Sequence, residues 1–183
     1  MATKKNILII NGSASNNSSN ERLIEKLIAL IGTEFNCKVF NQLKQLPHFD
    51  PELTVENTPT TVLDFRELVQ NSDGIIICTP EYVFSIPSGL KNAIEWCVST
   101  TVFSNKLCGL ITASAHGAKG HEELQLILNT LMAKLNPETT LLIQGIKGKI
   151  NKEGEITEDK TRSDLSNFAT TFTSQLRNQE PRA

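Results

Sequence analysis

The sequence contains few cysteines, and none of them is spaced to bind a metal. Cys37, Cys78, Cys97 and Cys108 form no CxxC pair, and no cluster of cysteine and histidine has zinc spacing. Cys78 and Cys108 lie within apolar runs, which is typical of small core residues. We therefore predict no metal site, and a redox or nucleophilic cysteine is the less favoured alternative.

The chain also lacks an excess of charge, a long apolar run and a secretion signal. Its formal net charge of −2 provides no basic face for nucleic acid or an anionic membrane surface. No stretch approaches the ~18 apolar residues of a membrane span. The apolar run near the N-terminus leads directly into a polar loop without a cleavage site. We expect a cytoplasmic protein with neither a nucleic-acid nor a membrane partner.

Five short apolar runs alternate with helical patterns along the chain. The runs are Ile7–Ile10, Cys37–Phe40, Gly74–Cys78, Leu107–Thr112 and Thr140–Ile143. All but the second are nearly continuous, as expected of parallel strands that are covered on both faces. Helical spacing follows the first run and recurs over residues 60–71, 88–98, 121–135 and about 160–177. The pattern predicts an α/β fold in which residues 1–183 form a single domain. We expect a three-layer, doubly wound, five-stranded parallel sheet of order 2-1-3-4-5, the flavodoxin-like arrangement.

A loop of small polar residues follows the first predicted strand, where such sheets bind ligands. Residues 12–20 read GSASNNSSN and carry no charge. A strand, a small-residue loop and a helix start point N–H groups and a helix dipole at one spot, which suits a phosphate. The loop fits neither GxGxxG nor the P-loop pattern. The alternative is a simple turn and helix cap, but a cap needs one Ser or Asn and residues 13–20 contain seven. We favour an anion site.

A second unusual loop follows the third predicted strand. Pro80 and Pro87 bracket the sequence EYVF at residues 81–84. Proline restricts its own φ and the conformation of the preceding residue, so we predict a stiff loop. A rigid apolar loop with exposed backbone groups suits a flat heteroaromatic ring. Composition supports a well-packed crossover loop about equally well.

This second loop resembles the signature of the NADPH-dependent FMN reductase family, which includes quinone, azo-dye and chromate reductases. The matching residues are Thr79-Pro80-Glu81-Tyr82, Ser85-Ile86-Pro87 and Leu90-Lys91-Asn92-Ala93-Ile94-Glu95-Trp96. Gly12-Ser13, followed by Ser18 and Asn20, resembles the phosphate loop GSxxxxSxN of that family. Residues 151–158 resemble the polar segment before its last helix. The similarity runs from about residue 6 to residue 176.

The resemblance implies a bound FMN that passes a hydride from NADPH or NADH to a small acceptor. The acceptor would be a quinone, an azo compound, a metal oxyanion or free flavin. One alternative is a flavin-binding electron carrier, or a redox-responsive binding protein, without NAD(P)H activity. Another is a related fold that binds no flavin. Because hydride transfer to a flavin needs no protein base, we name no catalytic residue.

The resemblance also implies where FMN would lie. The phosphate is expected at Gly12, Ser13, Ser15, Ser18 and Asn20. The isoalloxazine is expected against Pro80, Glu81, Tyr82, Val83, Phe84 and Ser85, with Ser114, His116 and Gly117 covering another edge. For Glu81 we expect the backbone rather than the carboxylate to matter. We also expect a homodimer or homotetramer, with the helix at residues 89–98 as the candidate interface. Trp96 on this helix is expected to be either a core or a subunit-interface aromatic.

Two positions depart from the family pattern. The family commonly has Arg where this chain has Ser15, so one charge-assisted contact to the phosphate is missing. It usually has Asn where this chain has Val83, so any side-chain bond made by that Asn is lost. The remaining serines, Asn20 and the backbone N–H groups would then have to hold the phosphate.

Overall fold

The strands form at the five predicted apolar runs. In the computed structural model, which describes residues 4–179, they are β1 Asn6–Asn11, β2 Asn36–Phe40, β3 Gly74–Thr79, β4 Leu107–Ser114 and β5 Lys134–Gln144. They pair in parallel in the order β2-β1-β3-β4-β5. The predicted strand order is therefore confirmed. Residues 1–3 and 180–183 of the predicted single domain lie outside the described residues.

Five helices cover the two faces of this sheet. They are α1 Ser19–Ile31, α2 Thr60–Asn71, α3 Ser88–Glu95, α4 Ala118–Thr130 and α5 Asp159–Arg177. Helices α1 and α5 pack on one face against residues such as Ile7 and Ile9. Helices α2, α3 and α4 pack on the other face against Leu8 and Ile10. Successive strand residues point to opposite faces, so nearly continuous apolar strands fill both cores.

Helix α4 differs from its predicted bounds, and strand β5 is longer than predicted. The apolar spacing predicted a helix over residues 121–135, but α4 ends at Thr130. Met132 has a φ of +59°, which ends the helical path, and its carbonyl accepts a hydrogen bond from the Asn105 N–H at 2.8 Å. The Lys134 N–H then donates to the Lys106 carbonyl at 2.8 Å, which starts β5. Leu135 fits the helical spacing only by coincidence.

Trp96 lies in the core of its own chain. It is 0% exposed, and its indole N–H donates to the Pro47 carbonyl at 2.8 Å. Its ring packs edge-on against Phe49, with the ring centroids 5.4 Å apart. The core alternative for Trp96 is therefore confirmed, and its predicted interface role is wrong. Helix α3 also ends at Glu95 rather than at residue 98, and Lys91 forms an ion pair with Glu95 at 3.1 Å on its surface.

Within residues 4–179, no helix has the length and apolar character needed to cross a membrane. In the same range, no three histidine, cysteine or acidic side chains are grouped to hold a metal ion.

Candidate functional site

A cleft of about 980 Å³ opens at the carboxyl edge of the sheet. The two loops singled out by the sequence meet there, together with the end of β4 and the segment that follows β5. Its lining residues are Ser13, Ser15–Asn20, Arg22, Pro80, Tyr82, Ala113–Ala115, Gly145–Lys147 and Ile150–Glu153. We refer to this space as the cleft.

The first loop combines a helix cap with a row of polar groups facing the cleft. Ser18 is the N-cap of α1, and its hydroxyl accepts a hydrogen bond from the Glu21 N–H at 3.1 Å. The Glu21 carboxylate in turn accepts from the Asn17 N–H at 2.7 Å. The alternative interpretation of this loop, a helix cap, is therefore correct for Ser18. Ser19 and Asn20 are the first two helical residues, whose N–H groups have no acceptor within a helix, so the positive end of the α1 dipole lies at the cleft.

Gly12 packs closely against the end of β3 and does not line the cleft. A Cβ at this position would lie 2.3 Å from the Thr79 hydroxyl oxygen, so only glycine allows this approach of the two strand ends. The Gly12 N–H donates to the Cys78 carbonyl at 2.8 Å. Gly12 instead lines a smaller cavity of about 140 Å³ together with Lys44 and Gly89, and this cavity shares Ser13 and Tyr82 with the cleft.

Asn20 joins the start of α1 to the ends of two strands. The side chain is 4% exposed, and its amide N–H donates to the Ala113 carbonyl at 3.0 Å. Its amide oxygen faces the Cys78 thiol at 3.4 Å. Asn20 lines the cleft, but these contacts give its side chain a positioning role.

The second loop closes into a tight turn. Tyr82 and Ser85 exchange two backbone hydrogen bonds of 2.9 and 3.1 Å. The two central residues, Val83 and Phe84, have φ values of +52° and +59°, as in a type I′ turn. Both are exposed, at 94% and 71%, and neither they nor Ser85 line the cleft. Pro80 and Tyr82 are the members of this loop that do.

Two carboxylates fasten this turn to α4. Glu81 accepts hydrogen bonds from the N–H groups of Gly117 at 3.1 Å and Gly120 at 2.9 Å. Glu123 accepts from the Ser85 hydroxyl at 2.6 Å and from the Ile86 N–H at 3.1 Å. The Glu81 carboxylate therefore has a structural role that the sequence did not indicate, while the role of its backbone toward a bound ring stays a prediction.

The ionisation of Glu81 follows from these contacts. Desolvation opposes the charged form, but the backbone N–H groups of Gly120 and Gly117 outweigh it. The pKa of the carboxyl consequently lies below its ordinary value of 4.5. Glu81 is thus held as a carboxylate at neutral pH and cannot serve there as an acid.

The end of β4 contributes fewer residues to the cleft than expected. Ser114 lines the cleft, and its hydroxyl donates to the Glu81 carbonyl at 3.3 Å. His116 is exposed to solvent outside the cleft lining. Gly117 is buried with a φ of +88°, and a Cβ there would lie 2.9 Å from a methyl group of Leu142. Gly117 therefore shapes the loop rather than facing the cleft.

The segment that follows β5 forms a wall of the cleft that the sequence patterns did not indicate. Gly145 donates its N–H to the Ala115 carbonyl at 3.1 Å, and Arg22 donates to the Asn151 carbonyl at 3.4 Å. Lys147 and Lys152 lie on the same wall. A usable signal was present, because β5 is parallel to β1 and its carboxyl end must emerge at the same edge.

The cleft contains no cysteine among its lining residues. Burial raises the pKa of the Cys97 thiol to about 12, and it also raises the pKa of the Cys78 thiol. These two thiols therefore stay protonated and are poor nucleophiles.

The chain resembles known flavoenzymes over nearly its whole length. The profile of the NADPH-dependent FMN reductase family matches residues 5–147. An NADH:(hydroxy)cinnamate reductase subunit of Vibrio ruber is 27% identical over 173 residues, which cover 91% of this chain and 85% of that protein. A quinone reductase of Escherichia coli is 26% identical over 181 residues, or 94% of this chain and 95% of that protein.

Among solved structures, the NAD(P)H:(acceptor) oxidoreductase FerB from Paracoccus denitrificans superimposes with a TM-score of 0.81 and 25% identity. The match covers 94% of this chain and 97% of that one.

Proposed function

Because the chain belongs to the NADPH-dependent FMN reductase family, we propose that the cleft binds FMN and serves the reduction of a small acceptor by NAD(P)H. When bound, the flavin supplies the chemistry, accepting a hydride from NAD(P)H and passing electrons to the acceptor. The protein supplies position, phosphate affinity and a shaped cavity. Relatives named quinone reductases make a quinone the first acceptor to test, followed by azo compounds, metal oxyanions and free flavin.

The observation that carries this proposal is that two chemically different groups of residues line one cleft. Serine hydroxyls and the N-terminus of α1 suit a phosphate. Pro80, Tyr82 and Ala115 suit a flat ring. A volume of about 980 Å³ is ample for a mononucleotide. The donor groups and the cavity therefore fit FMN.

We assign the proposed contacts by position. Ser13, Ser15 and the first N–H groups of α1 would bind the phosphate, while Pro80, Tyr82 and Ser114 would bound the ring. The other predicted site residues would build the cleft or its rim rather than face the cofactor directly; they are Gly12, Ser18, Asn20, Glu81, Val83, Phe84, Ser85, His116 and Gly117.

The test begins with the visible spectrum of the purified protein and an FMN titration of its apo form. NADPH and NADH oxidation is then followed with a quinone present and absent. Oxidation that depends on both FMN and quinone is the expected result. A yellow protein that oxidises neither nucleotide would favour the electron carrier, and an apo-protein that does not bind FMN would exclude both readings.

We further propose a homodimer or homotetramer in the cytoplasm. The exposed apolar side chains of Val83 and Phe84 beside the cleft support a subunit contact there. The buried cysteine thiols suit a reducing compartment. Light scattering after gel filtration tests the assembly, and a monomer at every concentration would contradict it.

A further inference from the structure

The cleft carries an excess of positive charge, although the chain as a whole has a formal net charge of −2. Its lining includes the cationic side chains of Arg22, Lys147 and Lys152, and Glu153 is the one carboxylate among the lining residues. Arg22 comes from the first turns of α1, whereas the lysines come from the segment after β5. Cations from two distant parts of the sequence therefore line one cleft together with the serines of the first loop.

Neighbouring cations on the same two segments are neutralised by ion pairs. Lys149 pairs with Glu158 at 3.0 Å, and Lys26 pairs with Glu155. Across residues 4–179, Arg22, Lys147 and Lys152 take part in none of the ion pairs within 4.0 Å. The three cations that line the cleft therefore differ from Lys26 and Lys149 on the same segments, although other surface lysines such as Lys44 and Lys134 also take part in none of these pairs.

We propose that Arg22, Lys147 and Lys152 form a cationic site for the 5′-phosphate of FMN and replace the arginine that the family commonly has where this chain has Ser15. This inference rests on the proposed function. Charged donors bind phosphate through shorter and stronger hydrogen bonds than neutral hydroxyls do. Arg22 also lies beside the α1 N-terminus, so its charge adds to the field of the helix dipole.

Arg22 also contacts the cleft wall formed by the segment after β5, because it donates a hydrogen bond to the Asn151 carbonyl. This contact is a single hydrogen bond of 3.4 Å, and a guanidinium has five N–H donors. Arg22 can therefore keep this contact while donating to a phosphate. Phosphate binding would then tie the segment at residues 145–153 to α1.

The experiment compares FMN with riboflavin, which differs by the phosphate alone. Dissociation constants of both flavins are measured by fluorescence for the wild-type apo-protein, Arg22→Gln, and the triple variant R22Q/K147Q/K152Q, at low and high salt. We expect Arg22→Gln to weaken FMN binding about tenfold and the triple variant to weaken it further, with riboflavin affinity unchanged. FMN binding should also become less sensitive to salt concentration in Arg22→Gln, and still less sensitive in the triple variant.

Lys149→Gln is the matched control, because it removes the same charge from the same segment at a lysine that is already paired. It should leave the FMN-to-riboflavin ratio unchanged. A folded triple variant with the wild-type ratio would overturn the proposal. A rise in the KM for NADPH but not NADH, at unchanged FMN affinity, would also overturn it and assign the cluster to the 2′-phosphate of the coenzyme. If the wild type binds neither flavin, the proposed function itself fails.

Discussion

A carboxylate oxygen of Glu81 accepts the backbone N–H of Gly120 at 2.9 Å. The pair joins the loop after β3 to the first turn of α4. It explains how a short loop with exposed side chains keeps a fixed position beside the cleft. The same carboxylate also accepts the Gly117 N–H. One charged group therefore fixes the loop after β3 against the loop between β4 and α4.

Replacing Glu81 with Gln should loosen this junction. The amide keeps one acceptor oxygen but presents an NH₂ group to the second backbone N–H, so we expect a loss of about 1–3 kcal/mol in the free energy of unfolding at pH 7. Urea denaturation measures it. Glu122→Gln is the control, because Glu122 is exposed in a pair with Lys119, and its loss should be within about 0.5 kcal/mol.

The pH dependence of the same variant has a definite sign. Because the folded pKa of Glu81 lies below 4.5, its contribution is complete above that pH and is lost as the pH falls through the folded pKa. The stability difference between wild type and Glu81→Gln should therefore shrink in acid below pH 4.5. A constant difference between pH 7 and pH 3 would contradict the assigned role of the carboxylate.

Val83→Asn should stabilise the turn of the second loop. A β-branched residue is strained at a φ of +52°, whereas Asn tolerates this region. We expect a gain of about 0.5–1 kcal/mol and a rise of about 1–4 °C in Tm. Calorimetry measures this change. Val55→Asn is the control, because Val55 is 82% exposed in a bend and not at positive φ. A lower Tm for Val83→Asn would show that the turn is not strained.

This strain clarifies a departure that the sequence shows but does not explain. The family usually has Asn where this chain has Val83, and the sequence suggested only the loss of a side-chain bond. The structure adds a backbone reason, because the position is left-handed and exposed. Turn conformation depends on the closing bonds between Tyr82 and Ser85, which periodicity and composition do not encode.

The strand positions and the two loops that meet at the cleft were predictable because both follow from local patterns, whereas the strand order was predicted from the rules for right-handed crossovers. Continuous apolar runs mark buried parallel strands, and small polar residues after a strand mark a helix start. The Glu81 contacts with α4 and the meeting of Arg22 with Lys147 and Lys152 were not predictable in this way. They depend on side chains far apart in sequence that only the folded sheet brings together.

Gly12→Ala should destabilise the chain by overpacking. The added Cβ would lie 2.3 Å from the Thr79 hydroxyl oxygen and 2.6 Å from its Cβ, so two strand ends must separate. We expect a loss of about 1–3 kcal/mol in the free energy of unfolding. Gly148→Ala is the matched control, because a Cβ there meets nothing within 4 Å. Equal stability of the two variants would disprove the close approach at Gly12.

Asn20→Ala separates positioning from ligand contact. Its buried amide holds the Ala113 carbonyl, so removing it should lower the free energy of unfolding by about 1–2 kcal/mol and should also weaken FMN binding by about 1 kcal/mol. Denaturation and FMN titration measure the two effects.

Asn16→Ala is the comparison, because Asn16 lines the cleft but is exposed. Its stability should stay within about 0.5 kcal/mol of wild type. Unchanged stability of Asn20→Ala with weaker FMN binding would instead make Asn20 a direct phosphate contact, since a positioning role cannot leave the fold unaffected.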